Sequence, residues 1–324
     1  MGKKQMGFIL HKSMLTVNGT FPGPTIQARK GDIMFVNVIN QGTYGVTIHC
    51  EATKEPMVRW SREHNTVSNS AGSNFTYEVI LSTEEGTLWW HAHSDWTRAT
   101  VHGAIVILPP RGKYYPFPKP YKEQTIILAS WFKGDVMAIL SNSIATGANP
   151  RIEDGFTING EPGDFYDCSN ETTYRLLVEC NKTYLLRIVN AVMNEEQFLG
   201  IANHSLTVVA QDAAYIKPIN TSYTMITPGQ TMDVLFTANQ NLSHYYHDSV
   251  VTYATATAIV QYEGNYSIHS CPFFPALPAY NDIDAAQNFT KSIKSLANKE
   301  YPIYVPKNIT TKIFIAVSLN KLLI

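Results

Sequence analysis

Charge is scarce in this chain. Asp, Glu, Lys and Arg make up 16% of its 324 residues, against roughly 25% in an average soluble protein. The formal net charge is -1, so no basic field draws it to nucleic acid or anionic lipid, and no nucleic-acid partner is expected. Apolar runs stay short of a membrane span, which leaves no membrane partner expected either. Cysteine is rare too. Cys50, Cys168, Cys180 and Cys271 are too few for a disulfide scaffold, and no two stand in a CxxC pair. An export signal is not visible, because Met1–Leu10 holds basic residues and only a short apolar patch before His11 and Lys12.

Aromatic and β-branched residues are abundant, and they favour strands over helices. Strands are predicted at residues 33–39, 87–90, 104–108 and 124–128, bounded by Gly, Pro or Asn, and the second unit continues through 206–209, 224–235 and 256–262. A final strand is predicted at 312–318, and a polar segment running to Glu300 reads as a short helix. The stretch from Pro109 to Tyr121, rich in Pro and Tyr, reads as a linker between domains. A turn pattern occurs twice, once as Val17-Asn18-Gly19 with Pro22-Gly23 and once as Ile158-Asn159-Gly160 with Pro162-Gly163. Each leads to a strand ending in Asn, at Asn40 and Asn190. Two copies of one β-sandwich are therefore expected, in an all-β chain divided as 1–112, 113–265 and 266–324.

So lightly charged a surface needs another source of solubility. Asn-x-Ser/Thr triplets stand at Asn18, Asn74, Asn170, Asn181, Asn203, Asn220, Asn241, Asn265, Asn288 and Asn308. That density points to N-linked glycans and a secreted protein. With no visible export signal, the amino terminus is expected to be incomplete.

His91-Ala92-His93 follows Thr87-Leu88-Trp89-Trp90. Residues i and i+2 of a strand project to one face, so two imidazoles would present together, as copper, zinc or iron requires. The pair alone is a weak signal, but its surroundings are specific. Residues 89–104, from Trp89 through the histidine pair and His102 to Ala104, resemble the second histidine motif of the plant laccases, which are multicopper oxidases. Leu15–Thr25, Val46-Thr47-Ile48-His49, Asn203–Val209 and Thr227–Leu235 resemble other stretches of the same family.

That resemblance implies tandem cupredoxin (plastocyanin-like) Greek-key domains, and four coppers in a three-domain protein. One copper would take electrons from phenolic small molecules such as lignin precursors. Three others would reduce dioxygen to water, held by eight histidines in four His-x-His pairs. It also implies an apoplastic, extracellular location. Carried over by position, His49, His91 and His93 are the expected metal ligands, whereas His102 and His204 match no ligand position.

The chain departs from the family in two places. Where the first pair is expected to read His-Trp-His-Gly, it reads His49-Cys50-Glu51-Ala52, and residues 50–71 look like a stretch read out of frame. Arg59, Arg62, Glu63 and His64 would then burden the first domain with buried charge. The third domain is expected to be represented by its first strand alone. Three functions follow as expectations: a laccase-type oxidase by descent that is inactive as this chain, a copper-free secreted cell-wall glycoprotein, or a single copper or zinc ion on His49, His91 and His93.

Overall fold

The computed structural model describes residues 3–4, 12–50, 69–163, 173–240, 247–251, 256–264, 273–303 and 305–316. Strands β1 (Lys3–Lys4) and β2 (Lys12–Ser13) pair briefly at the amino end. The first sandwich is built from β3 (Ile26–Arg29), β4 (Ile33–Ile39), β5 (Ile48–Cys50), β6 (Asn74–Ile80), β7 (Gly86–Ala92) and β8 (His102–Leu108). One sheet runs β3-β8-β7-β5, and β4 pairs with β6 in the facing layer. Between the layers lie Leu88, Trp90, Ile105 and Ile107 from one side and Tyr77, Val79, Met34 and Val36 from the other.

Gly103 stands opposite Trp90 in the β7–β8 ladder, and it carries no side chain for a reason. A Cβ there would lie 2.6 Å from the Trp90 ring and 2.8 Å from the Pro24 carbonyl oxygen. Both neighbours are fixed, so Gly103→Ala is expected to cost about 1–3 kcal/mol by overpacking. Urea unfolding followed by tryptophan fluorescence checks this, and an unshifted midpoint would refute it.

The second sandwich begins with β9 (Lys122–Trp131) and contains β10 (Gly155–Ile158), β11 (Arg175–Val178), β12 (Thr183–Ala191), β13 (Gln197–Leu199), β14 (Leu206–Gln211), β15 (Ala214–Thr221), β16 (Thr224–Ile226), β17 (Thr231–Thr237), β18 (His247–Val251) and β19 (Ala256–Tyr262). Its sheets run β10-β9-β12-β17-β14-β15 and β11-β19-β18-β13-β16. The order mixes parallel pairs, such as β9 with β12, among antiparallel ones, as crossovers between two layers require.

Helix α1 (Val136–Thr146) was not foreseen in the sequence. Its signals are local: the Asp135 carboxylate accepts from Met137 N and Ala138 N, both at 2.9 Å, and Gly147 ends it at φ 64°. The expected polar helix is α2 (Ile283–Ser292), capped by Asp282 and docked through buried Phe289 on the second core. One expectation fails. Residues 312–316 of the expected last strand have no strand partner, and Ile313, Phe314 and Ile315 are exposed. A strand needs neighbours to bury its face and pair its backbone, and among the described residues none lies beside this segment.

Alternation decides how the sandwiches meet. On β9 and β12, Ile126, Leu128 and Ile188 turn into the second core, while Ile127, Ala129, Val189 and Ala191 turn outward. On β7, Leu88 and Trp90 turn into the first core and Trp89 turns outward. The two outward sets join with Phe21, Ala104 and Trp131 into one apolar cluster between the sandwiches. β7, β12 and the second half of β9 are therefore buried on both faces, which is why Ile126–Ala129 runs apolar without a break.

Beside that cluster lies a buried charge network. Arg187 and Asp233 have side chains 1% and 2% exposed, and Arg187 Nη1 donates to Asp233 Oδ2 at 3.1 Å. Nη1 also donates to Thr87 Oγ1 at 3.1 Å, and the Thr87 hydroxyl in turn donates to Asp233. Glu123 accepts from Nε and Nη2 of Arg187 at 2.9 and 2.8 Å, and Tyr115 Oη accepts from Nη2 at 3.0 Å.

Candidate metal centre

The β5–β7 and β7–β8 ladders set His49 opposite His91 and His91 opposite His102. Residues directly opposite in antiparallel strands share a face. That row lies on the side of the first sandwich turned toward the second, and His93 continues it one residue beyond β7. Ring centroids are 5.3 Å apart for His49 and His91, 5.2 Å for His49 and His93, and 5.7 Å for His91 and His93. The three histidines picked out in the sequence therefore come together.

Each ring has its own surroundings. His91 is buried and stacks on Trp89, with centroids 4.2 Å apart. Its Nδ1 lies 2.9 Å from the Ala92 carbonyl oxygen. A carbonyl only accepts, so the proton is on Nδ1 and the Nε2 lone pair is free to act as acceptor or ligand. Here it accepts from His49 Nδ1 at 3.3 Å. Burial drives the His91 pKa down to about 4, opposed by the bond to Ala92, with the neighbouring His49, His93 and Arg98 lowering it further. His91 is therefore neutral at pH 7, as a metal ligand must be. His49 is half-buried and His93 is exposed.

Cys50 follows His49 but turns to the opposite face, into the first core beside Ile48. Burial pushes its thiol up to about 12, so no thiolate forms at neutral pH. Cys50 therefore takes no part in the imidazole cluster. His102 is fully buried, donates from Nδ1 to Arg98 O at 2.7 Å and meets Phe21 edge-on. His204 lies in the second sandwich, with its nitrogens 2.7 Å from Ala202 O and 2.8 Å from Tyr262 Oη.

Imidazole nitrogens of this kind suit copper. Among the described residues, no three His, Cys, Asp or Glu side chains gather around a single ion position. The three rings thus fit copper in kind but not in number. Glu51, together with Arg59, Arg62, Glu63 and His64, lies outside the described residues. Asn69 exchanges backbone bonds with Val46 at 3.0 and 2.9 Å and donates from Nδ2 to Val38 O at 2.9 Å.

Two family profiles, both described as multicopper oxidase, match residues 3–112 and 122–265. Laccase-14 of Arabidopsis thaliana is 44% identical over 320 residues, covering 95% of this chain and 56% of the relative. Putative laccase-9 of Oryza sativa subsp. japonica is 45% identical over 331 residues, covering 96% and 57%. The chain thus spans about half the length of these relatives. Among solved structures, the laccase from Botrytis aclada superposes with a TM-score of 0.71 at 24% identity, over 86% of this chain and 54% of that one. Fet3p, a multicopper oxidase that functions in iron import, superposes with 0.69 at 20% identity, over 86% and 54%. These likenesses show tandem cupredoxin domains, in a family whose cofactor is copper. With its histidine row set between two such sandwiches, the chain belongs to the multicopper oxidase family, and its relatives in sequence are plant laccases.

Proposed function

We propose that His49, His91 and His93 are copper ligands of a laccase-type centre. That centre oxidises phenols, lignin precursors among them, one electron at a time and reduces dioxygen to water. One observation carries this reading: three imidazoles meet on the interdomain face of the sheet, on a stretch that resembles the family's motif. Three of eight expected histidines do not complete an oxygen-reducing cluster, so the 324-residue chain alone is proposed to be inactive. The glycans and the extracellular setting are part of the same proposal. They are supported by Asn18, Asn74, Asn181, Asn203, Asn220, Asn288 and Asn308, all of which are exposed, while Asn170, Asn241 and Asn265 lie outside the described residues.

The purified chain is expected to hold fewer than four coppers and to show no oxygen uptake with a simple diphenol. Copper analysis and an oxygen electrode check this, and four-copper loading with turnover would overturn the inactive reading. A second reading, a copper-free secreted glycoprotein, is favoured by the bond between His49 and His91, which occupies the ligand nitrogen of His91. Added copper or zinc separates the two, because a metal bound to the folded state at 100 times its Kd stabilises by about 2.7 kcal/mol and raises the melting temperature.

A further inference from the structure

Strand β7 carries His91 and leads directly to His93, and the second sandwich holds it at both ends. At the leading end, Glu85 N donates to Ala213 O at 3.1 Å and Tyr215 Oη donates to Glu85 Oε2 at 3.0 Å. Thr87 then enters the Arg187–Asp233 network. Gly86, at φ 130°, allows this approach, since a Cβ would lie 2.9 Å from Asp233 Oδ2 and 3.1 Å from Ala213 Cα. At the trailing end, a short 3-10 helix (Asp95–Ala99) docks on the second sandwich. Arg98 Nη2 donates to Met193 O at 3.1 Å, and the Trp96 ring meets Phe132 at 5.7 Å. Thr87, Trp89 and His91 share the outward face between these anchors, with Thr87 about 13 Å along the strand from His91.

We propose that Thr87, Arg187 and Asp233 are positioning residues for His91 and His93, so that the second sandwich, which supplies no ligand, sets where the ligands of the first one stand. The proposal rests on the copper-ligand reading above. A ligand must be held to within about 0.5 Å of its working position. The partner strand that carries His49, β5, is three residues long and lies at the sheet edge, so it constrains this end of β7 weakly. The Thr87 hydroxyl donates to Asp233 and accepts from Arg187, so a shift of β7 breaks both bonds and leaves a buried hydroxyl without them, while the Arg187–Asp233 pair stays fixed on the second sandwich.

Thr87→Val keeps the volume and removes the hydroxyl. Two measurements are made on the full chain: amide hydrogen exchange without metal, with β19 amides as internal reference, and Cu(II) affinity with its electron paramagnetic resonance spectrum. Exchange at Leu88–His91 is expected to accelerate, and Cu(II) affinity to fall on the order of tenfold with a changed spectrum. Thr87→Ser should restore both, and Asp233→Asn should act like Thr87→Val, which keeps the test open if one variant folds poorly. A lower melting temperature with unchanged β7 exchange and unchanged Cu(II) affinity would overturn the proposal. If the unaltered chain takes up no Cu(II), the copper reading fails instead, and hydrogen exchange still decides whether the second sandwich holds β7.

Discussion

Asp233→Ala is expected to destabilise the chain by about 3 kcal/mol, lowering its melting temperature by roughly 6–12 °C. The loss comes less from the missing contact than from what stays behind. Arg187, 1% exposed, keeps its charge inside the protein with Glu123 as its remaining carboxylate, and Glu123 is 28% exposed and shares itself with water. Burial alone lowers the Arg187 pKa, but Asp233 and Glu123 outweigh it and hold the guanidinium more firmly charged than usual. It cannot escape the penalty by neutralising. The Thr87 hydroxyl and its link across the domain boundary lose their acceptor in the same step. A double variant, Arg187→Met with Asp233→Leu, should recover much of the loss, since removing both charges leaves neither unpaired. Calorimetry on the two variants decides the matter, and equal destabilisation in both would show that packing, not the stranded charge, sets the cost.

Trp89→Ala should be at least as damaging, at about 3–5 kcal/mol. Trp89 is 2% exposed and lies in the cluster that joins the sandwiches, with Phe21, Ala104, Ile127, Trp131 and Val189. Removing the indole leaves a cavity whose walls belong to two domains, so neither can close it by shifting a single side chain. His91 also loses the ring it stacks on. Trp89→Phe should recover most of the stability because a ring still fills the space. Thermal unfolding of the three proteins checks the order. If the Ala variant melted within a degree or two of the unaltered chain, the interdomain cluster would not be holding the sandwiches together.

Much of this was legible beforehand because the relevant physics is local. Ile33–Ile39 and Ala256–Tyr262 are strands with the bounds their β-branched runs predict. His91 and His93 were placed together by the period of a strand, and His49 by a motif resemblance. The short helix at α2 was foreseen, whereas α1 was not, because its cap at Asp135 was overlooked and its side chains are mostly exposed. The strand expected at 312–318 failed for the converse reason. Propensity proposes a strand, but a ladder needs a neighbour, and residues 312–316 have none among the described residues.

By itself the sequence determined a low-charge all-β chain, its alternating strands, its surface sequons and the identity of three imidazoles, because each depends on residue type and on a repeat of two along the backbone. Only the tertiary structure decided which face each alternating set would meet. Arg187, Asp233 and Thr87 are 46 to 146 residues apart, and nothing in their local sequence announces a partner. They meet because β7, β12 and β17 turn the same side of their pleat toward one interface, where the cost of burying a charge is offset only by the others.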